Sequence, residues 1–221
     1  FGDTRPLDAI LLQRQVFDGL FPAIVGTLLL ILLSVVWAIP VGIASGVYLA
    51  EYAGKRTKRT LNLLFDILAG IPSIVVGLFG FSVALVLHKH FSEEIYPCLL
   101  ISSLALALLV LPYIVRTTQV SLENLSMETR LTALALGATK LQNIFYVLIP
   151  KSLAGIASGV ILAIGRCAED TAVIMLTGVV ATAGVPKSVF STYEALPFYI
   201  YYISAQYSDP QELLTGYGAA I

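Results

Sequence analysis

Long apolar runs separated by short polar links dominate the chain. A helix needs about 20 apolar residues to cross the hydrocarbon core of a bilayer. That window places a first span within residues 19–50, interrupted by Pro40 and Gly42. A second covers about 61–87 and contains Ile71-Pro72-Ser73, and a third about 97–115 with Pro112 near its end. A fourth covers about 153–180, and another is expected to start after Leu213. Internal prolines and glycines predict kinks, which membrane helices tolerate because neighbours and water re-satisfy the freed backbone groups. No regular series of ten-residue stretches alternates with period two, which argues against a β-barrel. The pattern predicts an all-α polytopic membrane protein with kinked helices, residues 1–221 forming a single transmembrane domain.

Composition agrees. The chain is 57% hydrophobic and 12% charged, with a mean hydropathy of +0.87. Soluble domains carry about 25% charged residues, so this chain cannot cover a wholly water-facing surface. Its net charge of −1 gives no basic excess for nucleic acid. Cys98 and Cys167 match no metal or redox spacing and read as packing residues. The chain opens at Phe1 without Met and stops at Ile221 as an apolar run begins, so both ends are expected to be cut from something longer. The polar start, with Asp3, Arg5 and Asp8, has no signal-peptide pattern.

Charge orients the links. Lys55, Arg56, Lys58 and Arg59 follow the first span, and Arg116, Arg130, Lys140 and Lys151 lie between the third and fourth. The opposite side holds Arg5, Arg14, Lys89 and Lys187 among Glu93, Glu94, Glu194 and Asp209. The excess of cations makes residues 51–60 and 116–151 cytoplasmic.

Residues 121–151 are too long for a turn and too patterned for a linker. Leu122, Leu125, Leu131, Leu134 and Ala135 recur at helical spacing, and Gly137 falls where a helix-ending glycine belongs. Leu141, Ile144, Phe145 and Leu148 form a second apolar set ending at Pro150. The expected form is a short helix, a glycine turn and a second short helix. It would serve either as an interfacial hairpin holding the bundle or as a docking element whose Ala133, Ala135, Gly137 and Ala138 permit close approach.

Within the fourth span lies Gly165-Arg166-Cys167-Ala168-Glu169-Asp170-Thr171. Arg166 is about 22 Å along a helix from Lys151, in the middle to outer half of the membrane. A charge at a helix centre costs roughly 2.5–3.5 kcal/mol on insertion scales, so three must face protein or water. Arg166 is three and four residues from Glu169 and Asp170, so all three can share one helix face. The guanidinium fork suits an oxyanion, with the carboxylates holding or screening it. The alternative is an ion pair that fixes helix packing.

Leu134-Ala-Leu-Gly-Ala-Thr-Lys140 followed by Val147-Leu-Ile-Pro150 resembles the EAA loop of ABC-importer permeases, in which a Pro follows a Gly at the thirteenth position. The resemblance implies a type I ABC importer transmembrane domain with a cytoplasmic coupling helix that docks on an ATPase. Arg130, Ala133, Leu136, Gly137, Ala138 and Pro150 would be its coupling residues. Leu131 stands at the position of the family's leading Glu. Phe21-Pro-Ala-Ile-Val-Gly-Thr-Leu28, Gly46-Val-Tyr-Leu-Ala-Glu-Tyr52, Leu68-Ala-Gly-Ile-Pro-Ser-Ile74, Leu111-Pro-Tyr-Ile-Val-Arg-Thr-Thr118 and Leu176-Thr-Gly178 are similar to Pst-type phosphate permeases, most to the PstA-like branch. Those permeases carry Gly-Arg-x-x-Gly-Glu-Thr in the charged span. Gly165, Arg166 and Thr171 match it, Asp170 stands at the Glu and Glu169 at the second Gly.

The resemblance implies a substrate path through Arg166, Glu169, Asp170 and Thr171. It also implies a PstC-like sister permease as heterodimer partner, ATP-binding cassette subunits, an extracytoplasmic phosphate-binding protein, a lipid bilayer in the cell membrane, and no cofactor. Other expected substrates are sulfate, molybdate or tungstate, and a non-transporting scaffold with a degenerate coupling loop is the alternative class. Gly137-Ala-Thr-Lys140 lacks the spacing of a P-loop, so energy must come from a partner. His88 and His90 lack ligand partners at metal spacing, and no catalytic constellation points to an enzyme. Asp66 is expected to pack or pair near the cytoplasmic face or to line the pathway, Arg116 to snorkel at that face, and Phe198, Tyr199, Tyr201 and Tyr202 to form an outer aromatic belt.

Overall fold

The computed structural model describes residues 20–90 and 96–206. The span expected after Leu213 and the charges Arg5, Arg14, Glu93, Glu94 and Asp209 lie outside the described residues. The helices are α1 (Phe21–Glu51), α2 (Lys55–Ala69), α3 (Ser73–His90), α4 (Leu99–Glu123), α5 (Met127–Ala135), α6 (Lys140–Asn143), α7 (Ile149–Glu169), α8 (Thr171–Thr177) and α9 (Leu196–Gln206). One isolated bridge, Val179 with Tyr193, interrupts the helical pattern, and no strand occurs among the described residues. The all-α expectation holds. Among the described residues, four helical stretches are long and apolar enough to cross a membrane: α1, α3, α4 and the continuous run Lys140–Glu169.

Two local outcomes differ from the sequence pattern. The apolar stretch 61–87 is not one helix. Gly70 closes α2 by donating to Asp66 O and Ile67 O, and α3 begins at Ser73 after Pro72. Proline both lacks a donor and pushes the residue before it out of the helical region. Pro150, expected to end a helix, instead lies inside one. The preceding turn, Ile144–Leu148, widens to a π-helix, and Ile149 N–H donates to Ile144 O. The wider turn absorbs the clash and the missing bond that proline brings to a regular helix.

The chain forms two compact units. One comprises Phe1–Ser34, Pro72–Leu106 and Ala168–Ile221, and the other Val35–Ile71 and Ala107–Cys167. In the first, α3 packs on α8 through small residues. A Cβ on Gly77 would come within 3.1 Å of Ala172 O, and one on Gly80 within 2.9 Å of Thr177 Cγ2. The loop after α8 returns over the start of α4, where Leu99 N–H donates to Ser191 O at 3.1 Å and Leu100 N–H to Val189 O at 2.8 Å. Those carbonyls satisfy donors that a helix start leaves unpaired. Glu194, buried, holds the same loop by accepting from Gly184 N–H at 2.6 Å.

In the second unit, α4 takes a helix on each of two faces. The pentapeptide Gly-Ile-Ala-Ser-Gly occurs twice, at Gly42–Gly46 in α1 and Gly155–Gly159 in α7. The first pair of glycines faces Ile114 and Thr118, and the second faces Ser121 and Thr117. The registers make α1 parallel to α4 and α7 antiparallel to it. Glycines four apart let membrane helices approach closely, where packing rather than hydrophobicity drives association. Below these seams Leu122, Ile144 and Leu148 form a buried cluster with Val47, Ala50, Leu125 and Ile149 against it.

Candidate functional site

The link between the third and fourth spans folds as a hairpin. Ser126 opens α5, its hydroxyl accepting from Thr129 N–H at 3.3 Å, so one orphan donor is satisfied. Gly137 closes it at φ +86°, a left-handed conformation that disfavours any side chain. Gly137 N–H donates to Leu134 O and Ala138 N–H to Ala133 O, both at 3.0 Å, which is the double closure of a Schellman end. Thr139 then starts α6 with a reciprocal capping box: its hydroxyl accepts from Gln142 N–H, and the Gln142 side chain accepts from Thr139 N–H at 2.8 Å. Each turn of the hairpin is thus fixed by local chemistry.

Tertiary contacts place its faces. Arg130 turns inward: Nη1 pairs with Glu51 Oε1 at the end of α1, Nη2 donates to Leu122 O, and Nε donates to Leu125 O at 3.4 Å. Asn143 Nδ2 donates to Arg130 O at 2.9 Å. Lys140 Nζ donates to Glu51 O and lies 4.3 Å from the centroid of the Tyr52 ring. Ala133 and Ala138 are half-buried, while Leu136, Gly137 and Pro150 are exposed. No residue of α5 is buried. Its outer face shows Met127, Leu131 and Leu134 in one stripe, with Leu136 85% exposed at the tip. Apolar side chains lined up on a link outside the spans mark a surface for contact with another protein or with the membrane. Leu131, where an acid is expected from the family pattern, belongs to that stripe.

Next to the hairpin, α2 carries Lys55, Lys58, Arg59, Asn62, Leu63 and Asp66 around an open cavity of about 550 Å³. Lys58 pairs with Glu123 at 2.6 Å, and Asp66 and Arg116 are exposed.

The charged run of the fourth span is not one helical face. Arg166 is in the last turn of α7, where a cation complements the helix dipole, and Glu169 is the final residue. Asp170 has left the helix. It caps α8, with Oδ1 accepting from Val173 N–H at 3.0 Å and its backbone at φ −78°, ψ 107°. Aspartate favours this position because its short side chain reaches the first free amides. Asp170 is buried, Arg166 and Thr171 are half-buried, and Glu169 is exposed.

Sequence reading passed over Glu51 and the repeated Gly-Ile-Ala-Ser-Gly. The repeat was visible as a small-residue motif inside two apolar runs. Glu51 gave only the signal of a lone acid ending an apolar helix.

Comparison with known proteins defines the class first. A chain in the inward-facing structures of the MetNI methionine ABC transporter has the same fold, with a TM-score of 0.61 and 16% identity, covering 98% of this chain and 91% of that one. The family model for the inner membrane component of binding-protein-dependent transport systems matches residues 38–205. The chain belongs to that family, and with its apolar helices it is a multi-pass membrane protein.

The particular relatives are phosphate transport system permease proteins. PstA of Yersinia pestis is 39% identical over 160 residues, 72% of this chain and 52% of that protein. PstA 1 of Mycobacterium tuberculosis is 36% identical over 168 residues, 76% of this chain and 54% of that protein. PstA of Xylella fastidiosa is 38% identical over 162 residues, 72% of this chain and 54% of that protein. The chain spans about half the length of these relatives.

Proposed function

We propose that the chain is the membrane-spanning permease subunit of an ATP-driven importer and moves inorganic phosphate. The observation that carries this reading is the similarity to phosphate transport system permeases over roughly three-quarters of the chain. The subunit is non-catalytic. ATP-binding cassette subunits dock on the hairpin, a sister permease completes the path, and a phosphate-binding protein delivers substrate from outside. The hairpin's exposed apolar stripe, Met127, Leu131 and Leu134 with Leu136 at the tip, supports the docking role. It contacts the ATPase with Gly137 exposed beside Leu136, while Arg130, Ala133 and Ala138 hold the hairpin from within and Pro150 marks its junction with α7. Residues 1–221 act as one permease domain, with 51–60 and 116–151 on the cytoplasmic side.

Arg166, Glu169, Asp170 and Thr171 belong to the substrate path. Arg166 supplies the fork of donors that an oxyanion takes. The acids around it favour a protonatable anion: HPO₄²⁻ can donate a hydrogen bond to a carboxylate, and a fully ionised dianion cannot.

Uptake of labelled phosphate into vesicles tests the reading, using the full-length protein with its sister permease, ATPase and binding protein. Wild type should accumulate phosphate with ATP, and Arg166→Ala and Arg166→Lys should abolish uptake in assembled complexes. Uptake surviving Arg166→Ala would remove that residue from the path. Transport of another oxyanion in place of phosphate would overturn the substrate.

A further inference from the structure

Glu51 ends α1 and meets both limbs of the hairpin. Its carboxylate takes Arg130 from α5, before the Gly137 turn, and its main-chain carbonyl takes Lys140 from α6, after it. The side chains of Arg130 and Glu51 are only 19% and 10% exposed. Charge-assisted bonds with a bidentate-capable guanidinium are the stronger kind, and partial burial spares them from screening by salt. Lys140 adds a cation at the negative end of a long helix and covers the Tyr52 ring. Arg130 also reaches the last turn of α4 through Leu122 O and the link after it through Leu125 O, and Asn143 secures Arg130's own carbonyl. The same guanidinium therefore joins α1, α4 and the hairpin.

α5 also lies against α6 and the π-turn Ile144–Leu148. The helix buries no residue, and its apolar side chains point outward. The apolar cluster of Leu122, Ile144 and Leu148 lies beneath the second limb and holds α6 and the π-turn. The first limb, which presents the outward stripe, is held to α1 by the ion pair. We propose that Glu51 is a positioning residue: with Arg130 and Lys140 it forms a two-armed clasp that makes the cytoplasmic end of α1 follow the hairpin as one body. A push on the stripe then reaches α1. The inference rests on the reading of the hairpin as an ATPase docking element.

The test uses the full-length complex in proteoliposomes, with Glu51→Gln, Arg130→Gln, the double variant and Glu51→Asp. Phosphate moved per ATP hydrolysed should fall roughly fivefold or more in each single Gln variant, the scale of a typical coupling energy. The double variant should be no worse than the poorer single one, since the two residues act as a unit. Glu51→Asp should keep most of the ratio. A wild-type ratio in the single variants, additive losses in the double, or a loss confined to the amount of assembled complex would overturn the clasp.

A second readout does not depend on the substrate. Spin labels at Val41→Cys and Thr132→Cys should keep their separation when ATP binds, and Glu51→Gln should broaden it. A separation that changes with ATP in the presence of Glu51 would also overturn the clasp. A complex that keeps this rigid separation yet moves no phosphate would sink the substrate assignment alone.

Discussion

The same five residues, Gly-Ile-Ala-Ser-Gly, make two different seams against α4. In α1 they run parallel to it, and Gly42 and Gly46 meet the branched side chains of Ile114 and Thr118. In α7 they run antiparallel, and Gly155 and Gly159 meet the hydroxyl-bearing Ser121 and Thr117. The second seam is polar but satisfied. Thr117 Oγ1 donates to Tyr113 O at 2.8 Å and Ser121 Oγ to Thr117 O at 2.6 Å, so both hydroxyls fold back on their own helix. The first seam leaves Thr118 Oγ1 buried with no partner among the described residues. A glycine pair therefore makes a groove, and the partner helix decides whether the contact is apolar, polar or left short of a hydrogen bond.

Gly46→Ala should do the most damage. Its Cβ would fall 2.6 Å from Thr118 Cβ and 2.9 Å from Val115 O, and a backbone carbonyl cannot rotate away. A loss of about 3 kcal/mol is expected from overpacking, read as a lower melting temperature of the purified protein in detergent. Gly159→Ala should cost about 2 kcal/mol, since it strikes a side chain, Thr117, at both Oγ1 and Cβ. Adding Thr117→Ser should recover part of that loss, because serine frees its hydroxyl to change rotamer; no recovery would place the strain in the backbone. Thr118→Val keeps the shape and removes the unpaired hydroxyl, so it should stabilise by about 1 kcal/mol in the same melt. A destabilised Thr118→Val would mean that the hydroxyl is satisfied in the membrane, which would erase the difference between the seams. The smallest effect is expected at Gly165, where an added Cβ meets nothing within 4 Å among the described residues. Gly165→Ala should be neutral or gain up to ~1 kcal/mol, the usual helical advantage of alanine. Phosphate uptake that falls while the melt is unchanged would assign this glycine to the substrate path.

The apolar runs made the spanning helices legible because lipid demands about 20 apolar residues and satisfied backbone bonds. The hairpin was legible too, since Gly137 and the leucine spacing are local signals. Pro150 misled because its effect depends on the turn before it. A π-turn at Ile144–Leu148 carries the helix through, and nothing in those five side chains announces it. The cap at Asp170 was hidden for a related reason. Spacing reads as one continuous helix through this residue, but an aspartate at the start of Thr171–Thr177 gains more by capping that helix than by extending the one before.

By itself, then, the chain determined that it places long apolar helices in a membrane, which links are rich in cations, and where a glycine must turn the hairpin. These follow from composition and neighbours a few residues apart. Only the tertiary structure decided that Glu51 finds Arg130 and Lys140, that one glycine pair faces Thr118 and its twin Thr117, and that Leu131 looks outward. Those pairings join residues tens of positions apart, and their energies arise from desolvation and packing that exist only once the helices have met.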